Sequence, residues 1–256
     1  MKVCVLASGS KGNMTYIEAG STKVLIDAGI SLVNAVKRTS EIDLCNITDI
    51  LITHDHIDHI GFLATILKKT NANLYISKKC FMNLKKDVID KIKYFKIRFI
   101  EGEARYIIGD VEVLTLKLSH DAADAFGYIL SYNNKSVGYI TDTGIFPTRY
   151  KELLSSLDCL IIEANHNVEM LVNSDRDIYL INRILSATGH LSNQACYELL
   201  NEVISSNNKY IVLAHISEDC NSDECLYSEI INKLNNRFKG EILIARQHEA
   251  IKVIEL

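Results

Sequence analysis

Three histidines and an aspartate crowd into six positions of the stretch LITHDHIDHIGFL, residues 51–63: His54, His56, Asp58 and His59. The run Asp49-Ile50-Leu51-Ile52 leads straight into them. Packing gains nothing from imidazoles and a carboxylate at the end of a buried strand. Left unpartnered there, a neutral polar group costs about 2–7 kcal/mol. A bound cation answers that cost. In an extended segment His54 and His56 point to one side, while Asp58 and His59 begin the turn that follows. One loop therefore offers ligands in two directions. A single tetrahedral zinc has no use for all four, and two ions do.

Further residues of ligand type stand where strands end. His120 follows the strand at 111–117, Asp142 closes the one at 136–141 in YITDTG, and His215 closes the one at 210–215 in YIVLAHIS. A lone histidine in such a place is ordinarily a satisfied structural residue. Four separate strand ends that each supply a ligand describe a site at one rim of a sheet.

The elements that must position these residues are those of an α/β chain rich in short, β-branched strands. Strands are predicted at 3–7, 15–19, 23–27, 49–53, 73–76, 96–101, 105–108, 111–117, 127–132, 136–141, 159–163, 210–215, 241–245 and 250–254. Turn signals such as Asn133-Asn134 and Gly109-Asp110 separate them. Helical patterns lie at 31–38, 60–69, 79–92, 148–155, 176–186, 193–206 and 223–237. The single proline, Pro147, can open the helix at 148. No repeat, linker or composition break divides the chain, so residues 1–256 read as a single domain of two sheets with outer helices.

Composition excludes several classes. The chain is 48% hydrophobic and 23% charged, as soluble globular proteins are. No stretch approaches the roughly 20 apolar residues of a membrane-spanning helix, and MKVCVLASGSKGN reads as a first strand rather than a secretory signal. Seven scattered cysteines without a CxxC pair point to reduced thiols and a cytoplasmic protein. Cys220 and Cys225 have no second pair with which to complete a zinc site. A net charge of −4 gives no global sign of nucleic-acid binding. Between residues 68 and 98, however, ten Lys or Arg meet only two Asp, a local charge of +8. Such a run most often marks a solvated face, and it is also what a phosphate-tracking surface needs.

The order His54-x-His56-x-Asp58-His59, then His120, Asp142 and His215, resembles the motif series of the metallo-β-lactamase fold, over nearly the whole chain. The resemblance implies a four-layer αββα sandwich, two mixed β-sheets face to face with helices outside. It implies that His54, His56 and His120 bind one divalent ion and that Asp58, His59 and His215 bind a second. Asp142 would bridge the two ions, zinc or manganese. True β-lactamases commonly carry a cysteine in the place of Asp142. A carboxylate there resembles the phosphodiesterase, nuclease and thioesterase branches. The stretches LASGSKGN (6–13), LIDAGIS (25–31), SHDAADAFGY (119–128), DTG (142–144), EANHNVEML (163–171), GHLSNQA (189–195) and AHISEDCN (214–221) resemble the WalJ-like (YycJ) branch, small stand-alone proteins regarded as DNA exonucleases. Ala125 stands where that branch usually has proline, away from the chemistry.

In such chemistry a water between two ions about 3.5–4 Å apart ionises near neutral pH and attacks phosphorus in line. Asp58 then counts as both ligand and catalytic residue. His190, in TGHLSNQA, matches a non-ligand histidine of related phosphodiesterases and is expected to protonate the leaving oxygen. His166, in EANHN, is expected to contact substrate or to support the site, and His248 is assigned to structure. The turn ASGSKGN could set backbone N–H groups near a phosphate and is also a tight turn needing glycine; both can hold, with Ser8, Ser10 and Asn13 as further candidates. Asp121 could orient the imidazole of His120.

Spacing narrows the relatives. The 22 residues from His120 to Asp142 leave no room for the substrate arm of tRNA-end-processing members. The 73 from Asp142 to His215 leave none for the inserted domain of messenger-RNA-cleaving members. The 41 after His215 are too few for the helical domain of glyoxalase II. The expected function is a dinuclear phosphodiesterase, a nuclease of the 5′–3′ DNA exonuclease type, with DNA or RNA as substrate and no membrane partner. The alternatives are a hydrolase of small phosphodiesters, thioesters or lactones, and a non-catalytic regulator on the same fold. A complete ligand set speaks against the regulator.

Overall fold

The computed structural model describes residues 1–256. Six strands open the chain: β1 (Lys2–Ala7), β2 (Met14–Ala19), β3 (Thr22–Ile26), β4 (Asp49–Leu51), β5 (Asn73–Ser77) and β6 (Ile97–Ile100). A second set follows: β7 (Arg105–Ile108), β8 (Val111–Lys117), β9 (Phe126–Tyr132), β10 (Lys135–Ile140), β11 (Cys159–Glu163), β12 (Tyr210–Ala214) and β13 (Glu241–Ile244). The short β14 (Ile254–Glu255) crosses back to pair with β1. Two seven-stranded sheets result, ordered β14-β1-β2-β3-β4-β5-β6 and β13-β12-β11-β10-β9-β8-β7. Both are mixed in the same way. Antiparallel pairing runs from β14 to β3 and parallel pairing from β3 to β6. In the second sheet β7 to β10 are antiparallel and β10 to β13 parallel.

The alternation of side chains along each strand builds three apolar layers. In β1, Val3 and Val5 join Val113, Tyr128, Tyr139 and Val212 between the sheets. Cys4 and Leu6 face the other way, into a layer with Leu32, Leu63, Ile66 and Ile92 of the outer helices. The second sheet repeats the pattern against Leu154, Leu199, Leu200 and Ile230. Strands covered on both faces read as continuous apolar runs, which is why β11 is buried throughout. The expected αββα sandwich is the observed fold.

The helices are α1 (Leu32–Arg38), α2 (Ile57–Ile60), α3 (Leu63–Thr70), α4 (Lys78–Asn83), α5 (Lys86–Ile92), α6 (Lys151–Leu154), α7 (Val168–Val172), α8 (Ile178–Leu185), α9 (Asn193–Val203) and α10 (Asp223–Leu226), the last continued by a wider π-helical stretch, Tyr227–Ile231, and a final turn, Asn232–Leu234. Ser31, Ser77, Ser192 and Ser222 cap α1, α4, α9 and α10 through their side-chain oxygens. No helix is long and apolar enough to cross a membrane.

Several expected boundaries move. The helix expected at 60–69 starts at Ile57 and breaks at Phe62, whose backbone (φ −113, ψ 7) is not helical. The one expected at 79–92 splits at Leu84 and Lys85, both extended. The pattern at 148–155 opens with a tight turn, Thr148–Tyr150, behind Pro147. The short α7 carries too few residues for its period to show. Of the strand expected at 250–254 only Ile254 joins the ladder with β1, while the amide of Ile251 donates singly to Val5 O.

Candidate metal centre

The C-terminal ends of β4, β8, β10 and β12 meet at one rim, and each is followed by residues of the candidate set. The loop after β4 carries His54 and His56, and the four-residue α2 carries Asp58 and His59. Ligand-type atoms of His54, His56 and His120 all lie within 4.8 Å of one another, as do those of Asp58, His59 and His215. His56 Nδ1 is 3.3 Å from His120 Nε2, and His59 Nε2 is 3.3 Å from Asp58 Oδ2. Two atoms bound to one tetrahedral zinc at about 2.0–2.1 Å stand about 3.3–3.5 Å apart. Asp142 lies between the groups: Oδ1 is 3.4 Å from His215 Nε2 and 3.9 Å from His120 Nε2, and Oδ2 is 3.5 Å from His59 Nε2.

These residues fit cations. His54 Nε2, His215 Nε2 and Asp142 Oδ2 are buried and have no hydrogen-bond partner, a costly state for polar atoms that only an additional bound group relieves. Burial, then the neighbouring imidazoles, hold His54 well below its ordinary pKa, so it is neutral and able to ligate. Burial alone would lower His215, but Asp142, Asp58 and Glu163 raise it to about 10. The carboxylates thus demand positive charge at this spot, which a bound metal cation would supply. No cysteine enters any of these clusters.

A ring of buried groups aims the candidate ligands. His59 Nδ1 donates to Asp27 Oδ2 (2.7 Å), which turns Nε2 toward the site. Thr53 Oγ1 donates to Asp27 and contacts His54 Nδ1 (3.0 Å). Glu163 Oε1 accepts from His215 Nδ1 (2.9 Å) and His190 Nδ1 (2.8 Å), while Oε2 accepts from the amides of Thr143 and Leu191 (3.0 Å each). Burial opposes ionising Glu163, yet His190 and His215 hold its carboxyl well below the usual range. Asp27 and Glu163 escape sequence reasoning as functional residues. Their signal was an acidic side chain closing an apolar strand, the same signal that marks Asp142. Asp27, Asp142 and His215 also adopt left-handed backbone, with φ of 64, 59 and 52. Such conformations cost about 1–3 kcal/mol each and cluster at functional sites. Gly29 is required for close approach, since a Cβ there would lie 1.7 Å from the carbonyl oxygen of Asp58.

The turn ASGSKGN braces the site. The amides of Gly9, Lys11, Gly12 and Asn13 are spent on Asn13 Oδ1, Gln247, Gly9 O and Asp58 O. Asn13 Nδ2 reaches His59 Nε2 (3.0 Å) and Asp58 Oδ2 (3.2 Å), and Ser8 Oγ accepts from the amide of His215. The tight turn is thus present, with these four amides committed inside the protein. Asp121 is corrected. The carbonyl of Gly189 takes His120 Nδ1 (3.1 Å), so Asp121 does not orient that ring. Asp121 Oδ1 instead stands 3.4 Å from His120 Nε2. Asp55, the other acid of the HDHIDH run, faces away and holds Asn83 and the amide of Ala123.

His190 is partly open, stacks on His215 with ring centroids 5.1 Å apart, and keeps Nε2 free of protein partners. Its Nδ1 and Glu163 also fall in a cluster with Asp142 and His215. Those two atoms are already bonded to each other, so a hydrogen-bond relay describes them better than a third ion. His166 is buried, outside both trios, with Nδ1 on Asn165 and Nε2 unpaired. Burial lowers it to about 4. His248 is exposed, 3.2 Å from Glu218, and apart from the centre.

The lysine-rich segment borders this rim. Asn83 of α4 bonds Asp55 of the metal loop, and Lys79 pairs with Asp124 in the loop after His120. Lys78, Lys79 and Lys117 line an open groove of about 570 Å³ with Asp124.

Two mixed sheets packed face to face, with a histidine–aspartate centre at one rim, define the metallo-β-lactamase class of protein. The family model of the beta-lactamase superfamily domain matches residues 22–216, and the chain belongs to that superfamily. It is 36% identical to the exodeoxyribonuclease YycJ of Bacillus anthracis, over 92% of this chain and 90% of that one. It is 32% identical to the exodeoxyribonuclease WalJ of Streptococcus pneumoniae, over 91% and 88%. Among solved structures, the metallo-beta-lactamase fold protein YhfI from Bacillus subtilis superposes with a TM-score of 0.72 at 16% identity, covering 98% of each chain.

Proposed function

We propose that this superfamily hydrolase is a phosphodiesterase that works with two divalent ions, zinc or manganese, and degrades DNA as a 5′–3′ exonuclease in the cytoplasm. The observation that carries the reading is the pair of ligand trios joined by one carboxylate, Asp142. The names of the two exodeoxyribonuclease relatives point to DNA. Residues 1–256 act as one domain, because each trio takes members from both sheets.

His54, His56 and His120 would hold one ion, Asp58, His59 and His215 the other, with Asp142 within reach of both. When bound, such ions supply an activated water and neutralise charge on phosphoryl oxygens. The rest belongs to the chain. Asp27 and Glu163 fix the tautomers of His59 and His215 so that Nε2 carries the lone pair. Glu163 also accepts from His190 Nδ1, which aims the free Nε2 of that ring at the leaving oxygen it would protonate. His166, a neutral imidazole, supports this wall of the site.

The test is metal-reconstituted protein given end-labelled DNA, RNA and bis-p-nitrophenyl phosphate in parallel. Progressive shortening of DNA from its 5′ end is the expected result. Turnover of the small diester alone would replace the exonuclease with a small-molecule hydrolase.

A further inference from the structure

We infer that Tyr179 and Arg183 of α8 form a nucleotide clamp beside the metal centre, the guanidinium taking the phosphate next to the scissile one and the phenol ring stacking on the base. The inference rests on the phosphodiesterase reading of the site and adds how substrate is held.

The two residues are four apart on one helix and so share a face, about 6 Å apart along the axis. Helical side chains lean toward the N-terminus, so Arg183 reaches back toward the turn that carries Tyr179. On its opposite side α8 is anchored by Ile181 and Ile184 in a small apolar cluster with Leu171 of α7 and Cys220. Arg183 is fixed by Asp121, to which Nε and Nη2 both donate, the latter at 3.1 Å. Asp121 Oδ1 lies 3.4 Å from His120 Nε2 and 3.9 Å from His56 Nε2. One carboxylate therefore separates the guanidinium from the ligand nitrogens. The remaining N–H donors, both on Nη1 among them, have no protein partner, and the side chain is 48% exposed. A guanidinium already oriented loses less freedom on binding a phosphate than a free lysine does. Tyr179 is 83% exposed. Its ring gains nothing for the fold there and offers a flat face to any base.

The experiment compares Tyr179→Ala and Arg183→Ala with Tyr179→Phe and Arg183→Lys in metal-loaded protein. The probes are p-nitrophenyl thymidine 5′-phosphate, which has a base, methyl p-nitrophenyl phosphate, which has none, and labelled single-stranded DNA. Tyr179→Ala should lower the ratio of kcat/KM for the thymidine ester to that for the methyl ester by about 5- to 150-fold, the worth of one stacked base. Tyr179→Phe should restore the ratio. Arg183→Ala should raise KM for DNA and reduce the slope of log affinity against log salt by about 0.7, one phosphate of a single strand. Arg183→Lys should recover the slope. Unchanged ratios and slope overturn the clamp. Loss of bound metal in Arg183→Ala overturns it also, since the ion pair would then serve only the ligands. A wild-type chain that leaves DNA intact overturns the exonuclease reading instead, and the ester ratio decides the clamp alone.

Discussion

Glu163→Gln keeps the size of a buried side chain and reverses its demands. The carboxylate accepts four hydrogen bonds, two from amides on Oε2 and two from imidazoles on Oε1. An amide that keeps its oxygen toward Thr143 and Leu191 turns its NH₂ toward His190 Nδ1 and His215 Nδ1. Both imidazoles must then move their proton to Nε2 to accept. For His215 that proton occupies the nitrogen meant for metal. A hydrogen bond to a charged partner is worth about 1.5–3 kcal/mol, and supporting residues of this kind typically carry 10–100-fold in metal affinity or activity. At about 1.4 kcal/mol per factor of ten, the single bond to His215 accounts for that whole loss. The expected variant folds, melts at a lower temperature, and releases metal at about 10–100-fold lower chelator concentration. Turnover falls further than metal loss explains, because His190 loses its partner too. Competition with a metallochromic chelator, read beside diester hydrolysis at saturating metal, separates the two effects. A Glu163→Gln protein that holds metal with unchanged affinity refutes the tautomer argument.

Four other outcomes are expected. Metal analysis after reconstitution should saturate at two ions per chain in the wild type, and Asp58→Ala or Asp142→Ala should lose hydrolysis and metal retention together. His190→Ala should keep both ions and slow DNA cleavage by about 10²–10⁴, with a much smaller loss on an aryl diester whose leaving group needs no proton; equal losses would remove the general-acid role. Gly29→Ala, whose Cβ would sit 1.7 Å from Asp58 O, should displace α2 and lower thermal stability and metal content at once; a variant with wild-type melting would show that the loop yields. Reversal of Lys78, Lys79, Lys85 and Lys86 to Glu should weaken DNA binding and flatten its salt dependence, each lost phosphate contact removing about 0.9 from the duplex slope; unchanged binding in a folded, metal-loaded variant would make these lysines only a solvated face.

The order of strands and the residues gathered at the rim were readable because they repeat local signals. An apolar run ending in His or Asp is visible within ten residues, and it recurs at His54, His120, Asp142 and His215. What was not readable depends on partners distant in the chain. Asp27 matters because His59 lies 32 residues on, and Glu163 because His215 lies 52 on. Asp121 stands next to His120 in sequence, yet Gly189 reaches that ring first from 69 residues away. The breaks at Phe62 and Leu84 lie in backbone angles that the sequence pattern does not signal, since the apolar period runs through them unbroken.

The kinship of the two sheets has a mechanical consequence. Each repeats the other's pairing pattern, and the candidate ligands are shared evenly across the seam. For either ion the first half of the chain would offer two ligands, His54 and His56 or Asp58 and His59, and the second half two, His120 or His215 together with the shared Asp142. With ions in place, each becomes a rivet through both halves. A chain that has lost its metal is then loosened as well as inactive, and its lifetime follows the supply of metal around it.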